Sequence, residues 1–329
     1  MVHIINSVKT TLAENIYALT KLYPHLAQIP NLPAIYDRFH DEDIIPVISG
    51  GGSGHEPAHF GYVGQGMLAA AISGPIFIPP KAEEIIEVIR FMNKGKGVFL
   101  IVKNFDADIR EFSKAIQIAR EEGIPVKYIV SHDDISIEPA NFSVRHRGIA
   151  GTILLHKIIG EAARQGASLD ELESIALELA TSIATLGVAT SPVTMPGECV
   201  PYFNLDKCEI SFGVGIHGEP GYYTTNFTSS EALANELINK LKLRFKWKSG
   251  DDYILLINNL GGSSKLEELT FTHDVIQLLE IEGINLKSIH TGHFITSLDM
   301  KGLSVSLCKV KRSFWIEYLH QSTTAFAWK

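Results

Sequence analysis

Short apolar runs alternate with amphipathic helical stretches at intervals of roughly 25 to 35 residues along this chain, and few architectures satisfy that pattern. The run 97–102 (Gly-Val-Phe-Leu-Ile-Val) is apolar at nearly every position. A strand of that kind must be covered on both faces, as in parallel sheets wrapped by helices. The same criteria place strands at 44–48 and 126–130, and helices at 5–25, 61–71, 83–94, 108–122, 148–166 and 169–185. Right-handed crossovers between neighbouring parallel strands follow. Residues 75–80, bounded by Pro75 and Pro80, read as a rigid segment unfit for a central strand.

From Gly187 the texture changes. Residues 190–205 are irregular and carry proline and cysteine, and the alternation then resumes. Past the run 209–214, strands are expected at 253–258 and 286–290, helices at 231–243 and 265–283, and a hairpin-like end at 304–315. The expectation is an α/β protein of two α/β domains, 1–185 and 186–329, with a mainly parallel sheet in the first and a mixed sheet in the second. A length of 329 residues is enough for two cores.

Two glycine-rich stretches concentrate the chemistry. Ser49-Gly-Gly-Gly-Ser-Gly-His55-Glu-Pro-Ala-His59 follows the strand at 44–48, so its glycines fall at a strand's C-terminal end. In an open α/β sheet ligands bind at that edge, where glycine lets the backbone approach a small polar molecule. Gly213-Val-Gly-Ile-His217-Gly-Glu-Pro-Gly221 has a similar make-up, again with one histidine followed closely by Glu-Pro. Lys103 and Asp108 follow the strand ending at Val102 and share the edge with His55; a lysine and an aspartate there can bind a polyol and exchange protons with it. Taken alone, Asp108 also suits a helix N-cap.

Other patterns fail on their context. His55-Glu56-Pro57-Ala58-His59 matches the zinc-protease pattern HExxH, but Pro57 inside it and the glycines before it oppose the regular helix that chemistry needs. Gly213-x-Gly215-x-x-Gly218 matches a dinucleotide fingerprint, yet Glu219-Pro220-Gly221 makes a turn where a helix must open. No metal and no cofactor is expected.

A net charge of -8 opposes direct binding to nucleic acid. Three cysteines without CxxC spacing fit a reducing cytoplasm, and residues 1–12 lack the charged-then-apolar order of a secretory leader. The glycosylation pattern at Asn141-Phe142-Ser143 then has no use. No apolar run approaches the length of a transmembrane helix, so no membrane partner is expected.

These motifs together resemble the subunit K family of phosphotransferase-system-dependent dihydroxyacetone kinases. The similar segments are the two glycine stretches, Gly-Tyr-Val-Gly-Gln-Gly-Met-Leu at 61, Val-Lys-Asn at 102, Arg-Gly-Ile-Ala-Gly-Thr at 147, Asn-Asn-Leu-Gly-Gly at 258 and Thr-Ser-Leu-Asp-Met at 296. The resemblance implies a homodimer and dihydroxyacetone held covalently as a hemiaminal on His217. It implies that His55 and Asp108 handle protons while Gly51, Gly52, Ser53, His55 and Lys103 orient the ligand.

Three departures bear on catalysis. Kinase members usually read Thr-Ser-Pro-Thr where this chain has Ile78-Pro79-Pro80-Lys81, and an arginine where it has Tyr222-Tyr223. The helix from Leu169 carries Asp170, Glu171, Glu173 and Glu178 with no cation, and phosphoryl transfer depends on positive charge. The pattern looks like the family's non-kinase branch, a dihydroxyacetone-binding coactivator of a TetR-type transcription factor and no enzyme itself. The alternative is the ligand-binding subunit of an active kinase, with a nucleotide-binding subunit as partner.

Overall fold

A computed structural model describes residues 3–136 and 146–328. Asn141 and its glycosylation pattern lie outside the described residues. In chain order the elements are α1 (Thr11–Leu22), β1 (Leu26–Gln28), β2 (Ala34–Asp37), β3 (Val47–Ser53), a single 3-10 turn (Phe60–Tyr62), β4 (Ala70–Ile76), α2 (Ala82–Met92), β5 (Val98–Lys103), α3 (Asp106–Glu121) and β6 (Val126–Ser131). There follow α4 (Thr152–Arg164), α5 (Leu169–Ala180), β7 (Ile183–Ser191), β8 (Glu209–Phe212), β9 (Tyr223–Asn226), α6 (Ser230–Phe245), β10 (Asp252–Asn259), α7 (Lys265–Ile281), β11 (Asn285–Gly292), β12 (Lys301–Lys309) and α8 (Ser313–His320).

The chain forms two compact units. The first comprises 3–131, Thr152–Ala180 and 317–328; the second comprises 132–136, 146–151 and Thr181–Ile316. The expected single cut at 185/186 needs correction, because it would bisect β7, a strand hydrogen-bonded on both sides in the second unit's sheet. The C-terminal tail also belongs to the first unit. Gln65 N–H donates to Thr324 Oγ1 at 2.9 Å and Ala327 N–H to the Gly61 carbonyl at 3.0 Å.

In the first unit the strand order is β1-β2-β4-β3-β5-β6, with β4, β3, β5 and β6 parallel and the β1-β2 edge antiparallel. Every residue of β5 is buried, as its apolar run requires. Helix α4 is buried from Thr152 through Ala163. The core packs α2 and α3 against the sheet through Ile85, Ile89, Phe112 and Ile116.

Several expectations fail here for identifiable reasons. The strand expected at 44–48 begins only at Val47, after Pro46, and runs on through the glycines to Ser53. The helix expected at 61–71 is one 3-10 turn followed by β4. Gly61 and Gly64 lie where a Cβ would meet Ala327 and Ala325, so they are glycines for close packing of the tail. Pro75 lies inside β4, a strand with neighbours on both sides. The β3–β4 register shifts there, and that irregularity accommodates a residue with no N–H.

In the second unit the order is β11-β10-β12-β7-β8-β9, parallel only between β10 and β11. Residues 183–191, assigned in part to a helix from sequence, form β7; Ile183, Thr185, Val188 and Thr190 favour the extended state. The expected terminal hairpin is the single strand β12 followed by α8. Helix starts follow their caps: Ser229 Oγ accepts from Ala232 N–H, and Ser264 with Glu267 forms a capping box. The second core centres on Tyr253, Leu255, Ile257, Phe271, Val305 and Leu307.

Candidate functional site

In the first unit, three parallel strands end side by side. Ser49 Oγ donates to the Ile101 carbonyl at 2.7 Å, tying β3 to β5 just before the glycines. A Cβ at Gly51 would lie 2.1 Å from Lys103 Nζ and 3.2 Å from Asp108 Oδ1. The missing side chain is therefore the space the ammonium fills. A Cβ on Gly52 would collide with the backbone of Phe77 and Ile78, so the strand end and the 77–78 turn form one close-packed cradle. Ser53 is buried at the end of β3.

Lys103 closes β5 and is fully buried. Its Nζ donates to the Gly50 carbonyl at 3.0 Å, stands 2.7 Å from His59 Nε2, and faces Asp108 Oδ1 at 3.8 Å. Burial lowers its proton affinity, and the Asp108 charge opposes that shift. Asp108 is not the N-cap of α3. Phe105 occupies that position and makes no side-chain cap bond, while Asp108 sits inside the first turn, 2% exposed, with its carboxylate toward the lysine. His55 is fully buried and stacks on Phe77 at 4.9 Å between ring centroids. Gly51, Gly52, Ser53, His55, Lys103 and Asp108 thus gather at one sheet edge.

His217 belongs to the second unit, in the 213–222 connection between β8 and β9. The 213–218 glycines lead to a strand and not to the helix a dinucleotide site requires. Glu219 organises this loop. Its Oε2 accepts the His217 N–H at 2.9 Å, and its Oε1 lies 3.5 Å from His217 Nδ1. Gly215 must be glycine, since a Cβ there would meet Glu219 Oε2 at 2.0 Å and Arg147 Nη1 at 2.4 Å.

Arg147 braces the loop from below. It bonds Asp134 Oδ2 at 2.6 Å, Ser136 Oγ at 2.9 Å and the Gly213 carbonyl at 2.9 Å, and its Nη1 lies 3.8 Å from Glu219. Burial alone would raise the Glu219 carboxyl. The hydrogen bond and charge of His217 and the charge of Arg147 outweigh it and hold the group at about 2. An ionised Glu219 facing Nδ1 favours the tautomer with the proton there, which leaves the lone pair on Nε2. With 17% of its side chain exposed, His217 keeps access to small molecules.

Sequence reasoning gave no role to Glu219, Arg147 or His156. The repeated His and Glu-Pro was the available signal: in both loops the glutamate accepts a backbone N–H, from Gly54 and from His217. The loops after β10 and β11 are structural. Asn258 Oδ1 accepts the N–H groups of Phe294 and Ile295, and its Nδ2 donates to the Ile295 carbonyl at 2.8 Å. Among the described residues no cluster of three or more His, Cys, Asp or Glu is placed to hold a metal ion, and no helix is long and apolar enough to cross a membrane.

The Dak1 domain family model matches residues 18–327. The chain is 52% identical to the DhaKLM operon coactivator DhaQ of Lactococcus lactis subsp. lactis (strain IL1403), covering 98% of this chain and 99% of that protein. It is 40% identical to the same organism's dihydroxyacetone-binding subunit DhaK of the PTS-dependent dihydroxyacetone kinase, covering 99% and 98%. A solved structure of a dihydroxyacetone kinase operon co-activator, Dha-DhaQ, superposes with a TM-score of 0.93 at 53% identity, over 96% of this chain and 97% of that one.

Proposed function

This chain belongs to the Dak1 domain family, and from that premise we propose that it is a dihydroxyacetone-binding transcriptional coactivator without catalytic turnover. One contrast carries the reading. The side chains to which the carbonyl chemistry is assigned below are all present, while α5 offers Asp170, Glu171 and Glu173 where phosphoryl transfer would need cations. Lys127 of β6 is engaged by two of these acids, Asp170 at 3.1 Å and Glu173 at 2.6 Å. The higher identity to an operon coactivator than to a kinase subunit supports the same conclusion.

We assign the covalent step to His217. The Nε2 lone pair adds to the ketone carbon, the carbonyl π electrons move to oxygen, and the resulting alkoxide takes a proton. No group leaves, so the product is a hemiaminal and release is the reverse reaction. Addition leaves a positive imidazole whose Nδ1–H faces the Glu219 carboxylate, which stays ionised and offsets that charge. His55 and Asp108 are assigned the proton transfers to and from the ligand oxygens. Gly51, Gly52, Ser53 and Lys103 are assigned its orientation. Bond formation selects ketones and aldehydes and rejects glycerol, which has no carbonyl.

The protein partner in this reading is a TetR-type regulator that supplies the DNA contacts, consistent with a net charge of -8. The working form is a homodimer in the cytoplasm. The unpaired thiols of Cys199, Cys208 and Cys308 support that compartment. The test is a pull-down from native extract with this protein as bait, with and without dihydroxyacetone. Ligand-dependent recovery of a TetR-type regulator is expected. Recovery of a nucleotide-carrying helical subunit would instead make the chain a kinase component.

A further inference from the structure

The glycine stretch delivers a second histidine, His59, to which the chemistry above gives no task. It is fully buried, as is His156 of α4, and the two rings meet edge to face at 5.2 Å. Tyr62 covers the other ring at 5.6 Å. His59 Nε2 stands 2.7 Å from Lys103 Nζ. An ammonium donates and cannot accept, so Nε2 must be the acceptor and the ring's single proton must sit on Nδ1.

The surroundings keep it so. The titratable groups acting on the His59 ring are Lys103, His156 and His55, all basic, while the Asp108 carboxylate lies against Lys103. Burial and those neighbours hold His59 well below the usual imidazole range, and burial with the Lys103 charge pushes His156 down to about 3. A carboxylate in the place of His156 would draw a second proton onto His59 and turn an acceptor into a cation facing Lys103. The neutral ring avoids that. Lys103 then has one N–H committed to Gly50 and one to His59, and the third is left for Asp108 or a ligand oxygen.

We propose that His59, backed by His156, is the positioning residue that aims Lys103 into the glycine cradle. The proposal rests on the reading that Lys103 holds dihydroxyacetone, and its test separates the two. Affinity for dihydroxyacetone is measured by calorimetry for the wild type, His59→Leu, Lys103→Met and the double variant. His59→Leu should bind roughly 10- to 100-fold more weakly, the worth of one hydrogen bond to a charged group. His59→Gln, whose carbonyl can accept, should recover most of that loss. The double variant should be no weaker than Lys103→Met alone, because His59 acts only through the lysine. Additive losses, or unchanged affinity in His59→Leu, would overturn the proposal.

A wild type that binds nothing would sink the ligand reading instead. Nitrogen-15 spectra of labelled histidine then decide the positioning claim without ligand. His59 should be the Nδ1–H form in the wild type and lose that preference in Lys103→Met. An Nε2–H form in the wild type contradicts the proposal outright.

Discussion

Replacing Glu219 by glutamine changes one charge and almost no volume, and the consequence can be worked from the site. The carboxyl sits at about 2 in the folded protein against an ordinary 4.5, a difference of about 2.5 units. At roughly 1.36 kcal/mol per unit that is about 3 kcal/mol of pH-dependent stability. A third of the side chain faces solvent, 34%, so screening reduces the figure to about 1–2 kcal/mol. The folded pKa is depressed, so between 4.5 and 2 the unfolded chain binds more protons than the native one. The contribution is therefore complete above about 4.5 and is lost as pH falls toward 2. Unfolding free energies from urea titration of wild type and Glu219→Gln should differ by that amount at neutral pH and converge at about pH 2 and below. Glutamine keeps an oxygen for the His217 N–H, so the comparison isolates the charge. A carboxyl carbon-13 titration of Glu219 with its midpoint at 4 or above, or a stability gap independent of pH, would mean that His217 and Arg147 do not hold the carboxylate ionised. The same variant should attach dihydroxyacetone roughly 100-fold more slowly, since a fixed anion no longer balances the imidazolium.

Other substitutions test the remaining contacts. Gly51→Ala pushes a methyl group to 2.1 Å from Lys103 Nζ and should cost about 1–3 kcal/mol while weakening ligand binding, measured by thermal melting and calorimetry. Arg147→Met strands the buried Asp134 carboxylate and should destabilise by about 3–5 kcal/mol in urea; a loss under 1 kcal/mol would mean the brace is dispensable. Asn258→Ala removes the bonds that hold 294–295 to the end of β10 and should cost about 3 kcal/mol, with faster amide exchange at Phe294 and Ile295 as the local signature.

The sequence carried the fold wherever one local rule dominated. The continuous apolar run at 97–102 is the buried strand β5, and the stretches at 83–94 and 265–283 are α2 and α7 with ends moved by two residues or fewer. It failed where tertiary contacts overrode local preference. Gly61 and Gly64 sit in a stretch with helical spacing, yet the C-terminal tail needs the space beside them. Pro75 reads as excluded from a central strand until a register shift makes room for it. At the site, glycine spacing and strand ends pointed to His55, Lys103 and Asp108 at one edge. Arg147 lay beyond reach, because its partners Asp134, Ser136 and Gly213 are scattered along the chain. His156 was equally hidden, as its neighbour His59 comes from a distant loop.

Crystals of the wild type and of His217→Ala soaked in dihydroxyacetone give the most direct test of covalent ligand binding. Continuous density joining His217 Nε2 to the ligand's central carbon is expected in the wild type, and no covalent adduct in the variant. Unbonded ligand in the wild type, or density joining the ligand to another residue in His217→Ala, would contradict covalent binding at His217.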